Sequence, residues 1–477
     1  MSNPFGFLSE ESYEGKMDAL TSMLGDKMDS GILMLSAIAS GNGGIAFKSF
    51  ADIKMLNRLG LARRILREGD ELVCAKATSM NATVGNSSGT AGITAASVNM
   101  DKFLAAVGES GNIDYEFTWD GAAWQLSGNP VELTAYGVTV TGTPSVGDEI
   151  VVHETASVLT WTVIGIDKDT PVASDLTHSI TLQLRDCYTD LQFDAREALF
   201  SFPEGLEAGT YYFTVKQHSW VSTDVNKSFQ FTLENAIPAG GQIVLSAAYN
   251  VTLENSQIKV YASASASEAS ETTTLVIGTS GTNLGDVNNS GNGTTINSLQ
   301  RALAGNNNYA DSAMRQWLNS NKPMGSVWAP QTAFDRAPSW LTTTNGFLYG
   351  MDKDFLSSIG EVTKVTALNT VSDGGGSITT AEKFFLLSRS EVYGGKENNI
   401  NEGDPYPYYA DNSDLSAPGT GADTNRIKYR NGTAKYWWLR SPNAGIASNV
   451  RYCLPSGAVN TTNASSTYGV APACCIV

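Results

Sequence analysis

Five cysteines, Cys74, Cys187, Cys453, Cys474 and Cys475, are the first residues to test for chemistry. Nucleophilic thiol chemistry needs a base or a cation beside the sulfur. The three histidines, His153, His178 and His218, all lie upstream of the last three cysteines, and the tail contains none. An odd, sparse set without CxxC spacing reads neither as a disulfide framework nor as a zinc site, and it fits a chain made in a reducing cytoplasm. Cys474 and Cys475 are adjacent in an apolar run, so a strand there sends them to opposite faces and at least one is expected buried and inert. Asp411-Asn412-Ser413-Asp414 offers hard oxygen ligands but lacks EF-hand spacing. No Ser-His-Asp set, phosphate-binding glycine loop or glycosidase signature stands out, while paired carboxylates are left to geometry. The expectation is a protein without catalytic residues, cofactor or metal.

Aromatic residues are the stronger binding candidates. Trp437 and Trp438 are consecutive, so in a strand they face opposite ways; they read as core residues, with a ligand platform as the alternative. Arg440 beside them reads as a tie to a loop carboxylate. Tyr406, Tyr408 and Tyr409 fall in the Pro/Gly-containing loop EGDPYPYYADNSD, where they either pack over a Trp-rich core or add to a binding surface.

The elements around these residues read as α+β, β-rich. The chain has 477 residues, 42% apolar, 9% aromatic and 17% charged, enough for more than one packed module. Its net charge of −17 argues against general nucleic-acid binding and against anionic membrane surfaces. No stretch reaches about 18 uninterrupted apolar residues, and Met1 to Glu11 carries no signal-peptide pattern. Residues 9–39 are expected as a helix: Met17, Leu20, Leu24, Met28, Gly31, Leu35 and Ile38 recur at intervals of three and four, a short coiled-coil-like seam for oligomerisation. Ser49 to Leu66 reads as a second helical stretch. Two similar phrases follow, Gly69-Asp70-Glu71-Leu72-Val73 and Gly147-Asp148-Glu149-Ile150-Val151, each a turn feeding a strand. Between them, Tyr115, Phe117 and Trp119, then Asp120-Gly121, then Trp124 and Leu126 spell a hairpin. The division is 1–75 as a helical assembly or attachment region, 76–146 as an inserted β module, and 147–477 as the main domain. That domain carries a β insertion around 200–276 and a loop-like Ser263 to Gly293. SAMRQWLN at 312–319 reads as a short helix; FFLLS at 384–388, KYWWLRSP at 435–442 and the closing GVAPACCIV read as strands.

Several phrases together resemble one family: HSITLQL at 178–184, FDAREAL at 193–199, RQWLN at 315–319, GFLYGMDKDFL at 346–356, FFLLSRSEVYG at 384–394, YWWLRSP at 436–442 and the ending GVAPACCIV. They look like the variable proteins of bacteriophage diversity-generating retroelements, which are similar to the phage major tropism determinant. The resemblance covers about 148–477 and implies a C-type lectin-like domain whose end is rewritten by error-prone reverse transcription at adenines. It implies a virion protein of the tail or baseplate tip, made in the host cytoplasm, that binds a host bacterial surface receptor, protein or glycan. Homotrimers and contacts to other tail proteins are the implied assembly, with no membrane insertion. Adenine-diversified codons of the family cannot encode Lys, Glu, Gln, Met or Trp. These five types fill 69 of the 477 positions, which scales to about six in the last 39, and residues 439–477 contain none.

Within that tail Leu439, Pro442, Leu454, Gly457, Gly469, Val470 and Pro472 read as scaffold. Asn443, Ala444, Ala447, Asn449, Arg451, Tyr452, Asn460, Thr461, Asn463, Ser465, Ser466 and Tyr468 are the candidates for the displayed face. Tyr and Arg supply large contact area at low entropic cost, and Ser and Asn adapt their hydrogen bonds. Two other readings stand beside this one. The first is a catalytic lectin-fold relative using Cys453 or Cys475, or a virion-borne glycan hydrolase. The second is a bacterial adhesin.

Overall fold

The computed structural model describes residues 49–85, 92–107, 111–198, 200–219, 222–247, 250–253, 259–262, 286–287, 298–410 and 424–477. The expected helix over 9–39, most of the 263–293 loop and Asp411 to Asp414 lie outside the described residues. The fold is β-rich with short helices. Among the described residues, no helix is long and apolar enough to cross a membrane.

The two Gly-Asp phrases turn out to be the two starting points of one ribbon. Strand Glu71–Gly85 runs antiparallel to strand Glu149–Ile166, with Glu71 opposite Thr162 and Gly85 opposite Glu149. Each phrase therefore opens one strand at opposite ends of the same ladder. The outer half of the ribbon carries the strands Asp114–Trp119 and Trp124–Leu126. Between these two strands, Asp120 accepts from the amides of Ala122 and Ala123, and Gly121 takes a positive φ, as the Asp-Gly signal requires. Phe103, Phe117, Trp124, Leu133, Ile150 and Val152 form a core of their own there.

The inner half of the ribbon feeds the main sheet. Strand Glu149–Ile166 pairs with Ile180–Leu184, which pairs with the last strand, Ala473–Ile476. The last strand is flanked on its other side by the short strands Ile359–Gly360 and Phe384–Phe385. Every residue of Ile180–Leu184 and Ala473–Ile476 is buried, as expected for strands covered on both faces. A second sheet of five strands runs in the order Val459–Asn463, Asn449–Cys453, Trp437–Pro442, Thr467–Val470, Thr189–Gln192. Residues between Gln192 and Ser298 contribute a separate seven-stranded sheet that begins at Phe200–Phe202.

Two sequence expectations need correction. Ser49 to Leu66 is two helices, Phe50–Arg58 and Ala62–Ile65, because Gly60 adopts φ +68° and stops the first. FFLLS is a strand only at Phe384–Phe385; the next residues turn so that Ser388 can cap the helix Arg389–Tyr393. The short helix expected at 312–319 is present, over Ala313–Leu318 with Ser312 as its N-cap.

Candidate functional site

The WWLRSP phrase is structural. Strand Trp437–Pro442 is buried at every position. Trp438 joins the core cluster that includes Trp161, Trp317 and Phe384, whereas Trp437 joins the one with Tyr393, Tyr406 and Cys475. The alternation expected of consecutive residues thus places one indole in each core. Both ring N–H groups are satisfied by main-chain oxygens, Trp437 on Arg426 and Trp438 on Leu191.

Arg440 does tie down a carboxylate. Its guanidinium contacts both oxygens of Glu391, at 2.5 and 3.1 Å, and donates to the carbonyls of Leu386, Val365 and Glu402. Glu391 closes the capping box of helix Arg389–Tyr393 and also meets Lys364, which reaches Asp169 and Tyr406. Burial alone would raise the Glu391 carboxyl, but Arg440 and Lys364 hold it down to about 2. Glu402 lacks such a pair: burial lifts it to about 7 against the pull of Arg440. Tyr406 and Tyr409 are fully buried over this network, so the loop tyrosines belong to the core, with Tyr408 packed beside them. These interlocked charges join four chain segments and fix the strand from which the tail departs.

The cysteines are all free and buried. Burial pushes Cys74, Cys187 and Cys453 up to about 12, and Cys474 and Cys475 upward as well. Each is a protonated thiol at neutral pH, a poor nucleophile. Among the described residues, no group of three or more His, Cys, Asp or Glu could hold a metal ion. One relay was missed by the sequence reading: Thr83 Oγ1 lies 2.9 Å from His153 Nε2, and His153 Nδ1 lies 2.9 Å from Asp114. Its three members sit on neighbouring strands, where opposed polar side chains meet as a matter of register. They are open to solvent, and the strand amides around them are engaged in ladders, so no oxyanion donor converges there among the described residues.

The candidate face divides in two. Asn449 pairs with Asn463, Arg451 with Thr461 and Tyr452 with Asn460 across the hairpin of strands Asn449–Cys453 and Val459–Asn463. Strand alternation puts Asn449, Arg451, Thr461 and Asn463 on one side and Tyr452 and Asn460 on the other. Asn460 and Asn463 are exposed; Asn443, Ala444, Asn449, Arg451, Thr461, Ser465, Ser466 and Tyr468 are half-buried. Two of the candidates are corrected. Ala447 is fully buried, because its amide donates to Gln300 and its carbonyl accepts from Asn307 inside the turn. Tyr452 is only 7% exposed, because its ring packs at 4.7 Å on Tyr468 and against Trp438. Arg451 is not free either: it meets both oxygens of buried Glu397, at 2.5 and 3.0 Å, which also binds Arg389.

The expected scaffold positions are buried or form turns. Gly457 has φ +82° in the hairpin turn. A Cβ on Gly469 would meet Cys187 Sγ at 2.6 Å and the Tyr436 carbonyl at 2.8 Å.

What holds the tail is a set of groups outside it, and most of their bonds go to its main chain. Asn307 Nδ2 lies within 3.3 Å of the carbonyls of Asn443, Ile446 and Asn449. Asn369 donates to Asn307 Oδ1 at 2.8 Å and orients it. Thr370 donates to the Ala444 carbonyl from both its amide and its hydroxyl. Gln192 donates to Ser465 O, the Phe193 and Asp194 amides to Ala464 O, and the Tyr393 hydroxyl to Gly457 O. A bond to a peptide group specifies where the chain runs and leaves the side chain undetermined.

The sequence reading also missed Tyr436. It is 42% exposed and stacks on Tyr468 at 5.0 Å, with Tyr452 at 5.7 Å. The signal was available: Tyr436 and Trp438 are two apart and so share a strand face.

Residues 290–477 match the family described as a domain of unknown function, DUF6273. No curated protein and no solved structure matches the chain.

Proposed function

We propose that this chain is a phage receptor-binding protein whose carboxy-terminal segment presents a replaceable binding surface on a C-type lectin-like framework. The supporting observation is that the framework grips the tail through peptide groups: Gln192, Asn307, Thr370 and Tyr393 all bond to tail main-chain atoms. Side chains at Asn443, Ala444, Asn449, Asn460, Thr461 and Asn463 carry little of the packing and can be exchanged without moving the backbone. The absence of Lys, Glu, Gln, Met and Trp from residues 439–477 agrees with adenine-directed rewriting. In this reading residues 1–75 assemble or attach the protein on the virion, a homotrimer multiplies weak single contacts into avidity, and the partner is a molecule of the host cell surface.

The test replaces Asn443 to Tyr468 in the full chain with the matching segment of a sibling gene. The melting temperature should stay within a few degrees while the set of bound cells changes. Loss of the cooperative transition, or unchanged binding to the same cells, would refute display.

A further inference from the structure

We propose that Tyr436, which precedes the tail, is a constant anchor of the binding face, and that this face takes an uncharged sugar ring. The assignment rests on the display reading above and adds the chemistry of the ligand.

Tyr436 is rigid before anything binds. Its ring lies nearly parallel to Tyr468, 21° apart at 5.0 Å, and Tyr468 in turn sits 5.0 Å from the fully buried Trp438. The Tyr452 ring packs on Tyr468 as well, with centroids 4.7 Å apart. A ring held in this way loses little conformational freedom when a ligand covers it.

The tail has no free charge to offer. It contains no Asp, Glu, Lys or His. Its two arginines are engaged, Arg440 on Glu391 inside the core and Arg451 on Glu397. Lys435, next to Tyr436, closes with Arg430 on the Asp190 carboxylate. Apart from that cluster, in which two cations share one carboxylate, the groups beside the rings are neutral. Asn460 and Thr462 share the strand face of Tyr452 by register, and the Ser466 hydroxyl lies 3.2 Å from that of Thr462. A pyranose matches this arrangement: its C–H face is apolar and slightly electropositive, complementary to the electron-rich face of an aromatic ring. Its hydroxyls pair with amide and hydroxyl groups without an ionic partner.

The experiment passes the full chain over immobilised mannan, dextran and β-glucan as neutral polymers, and over alginate and polysialic acid as anionic ones. Retention on at least one neutral polymer is expected, unchanged between about 50 and about 500 mM NaCl. Tyr436→Ala should weaken it at least about tenfold with an unaltered melting temperature, and Tyr436→Phe should retain it. No retention on any neutral polymer, retention on the anionic ones alone, a steep fall with salt, or equal affinity of Tyr436→Ala would overturn the assignment. Any of these alongside a successful segment exchange removes the sugar site at Tyr436 and leaves display standing; an unfolded exchange variant beside intact sugar binding does the reverse.

Discussion

Glu397 is buried and carries two arginines of different origin, Arg451 from the tail and Arg389 from the framework. A buried carboxylate that loses its only cation is destabilised by about 3–5 kcal/mol. With Arg389 in place, a change at 451 leaves the charge compensated. Arg451→Ser alone should therefore cost no more than about 1 kcal/mol, and the double variant with Arg389→Ala should cost clearly more than the two singles added. Denaturant titrations of the three variants measure the coupling; strict additivity would show that Arg389 gives no such cover. At this scale the sequence was readable wherever one local rule applied. The opposed directions of Trp437 and Trp438 follow from alternation, and the turn at Asp120-Gly121 follows from its residue types. The burial of Ala447 and Tyr452 was not readable, because it depends on Gln300, Asn307 and Trp438, and the first two come from chain positions far upstream.

The turn from Asn443 to Asn449 is held by Gln300, Thr370 and Asn307, and Asn307 reaches the most of its carbonyls. Asn307 Nδ2 meets three carbonyls, and Asn369 holds Asn307 in place. Asn307→Asp preserves size but replaces donors with acceptors, leaving those carbonyls facing a carboxylate. Each unsatisfied buried group costs about 1–3 kcal/mol. Amide hydrogen exchange across 443–449 should accelerate by at least about tenfold, while strand Trp437–Pro442 stays protected by its own ladders. Unchanged protection in the turn would mean that the tail holds itself. Element boundaries were legible in proportion to how local their causes are. The Gly-Asp strand starts and the short helix at 312–319 could be read; the pairing of the two Gly-Asp strands with each other could not, because register between distant strands leaves no local mark.

Residues 290–477, the stretch that matches the DUF6273 family, complete neither the main sheet nor the five-stranded sheet. Strand Ile180–Leu184 borders the last strand over Ala473 to Ile476, and strand Thr189–Gln192 closes the five-stranded sheet beside Thr467–Val470. Lost with them are Gln183 on the Ala471 carbonyl, the Leu184 carbonyl that receives Lys428, and the Leu191 carbonyl that receives the Trp438 indole. Lys428 is fully buried, and burial already lowers it to about 8, so removing its acceptors leaves an ammonium with no place in the core. Two unpaired strand edges and an uncovered apolar layer would remain. A fragment of residues 290–477 should therefore lack a cooperative melting transition and bind a hydrophobic dye, whereas the full chain melts cooperatively. If that fragment melted cooperatively at the temperature of the full chain, strands Ile180–Leu184 and Thr189–Gln192 would be dispensable, and the framework that grips the tail would have to lie wholly after residue 290.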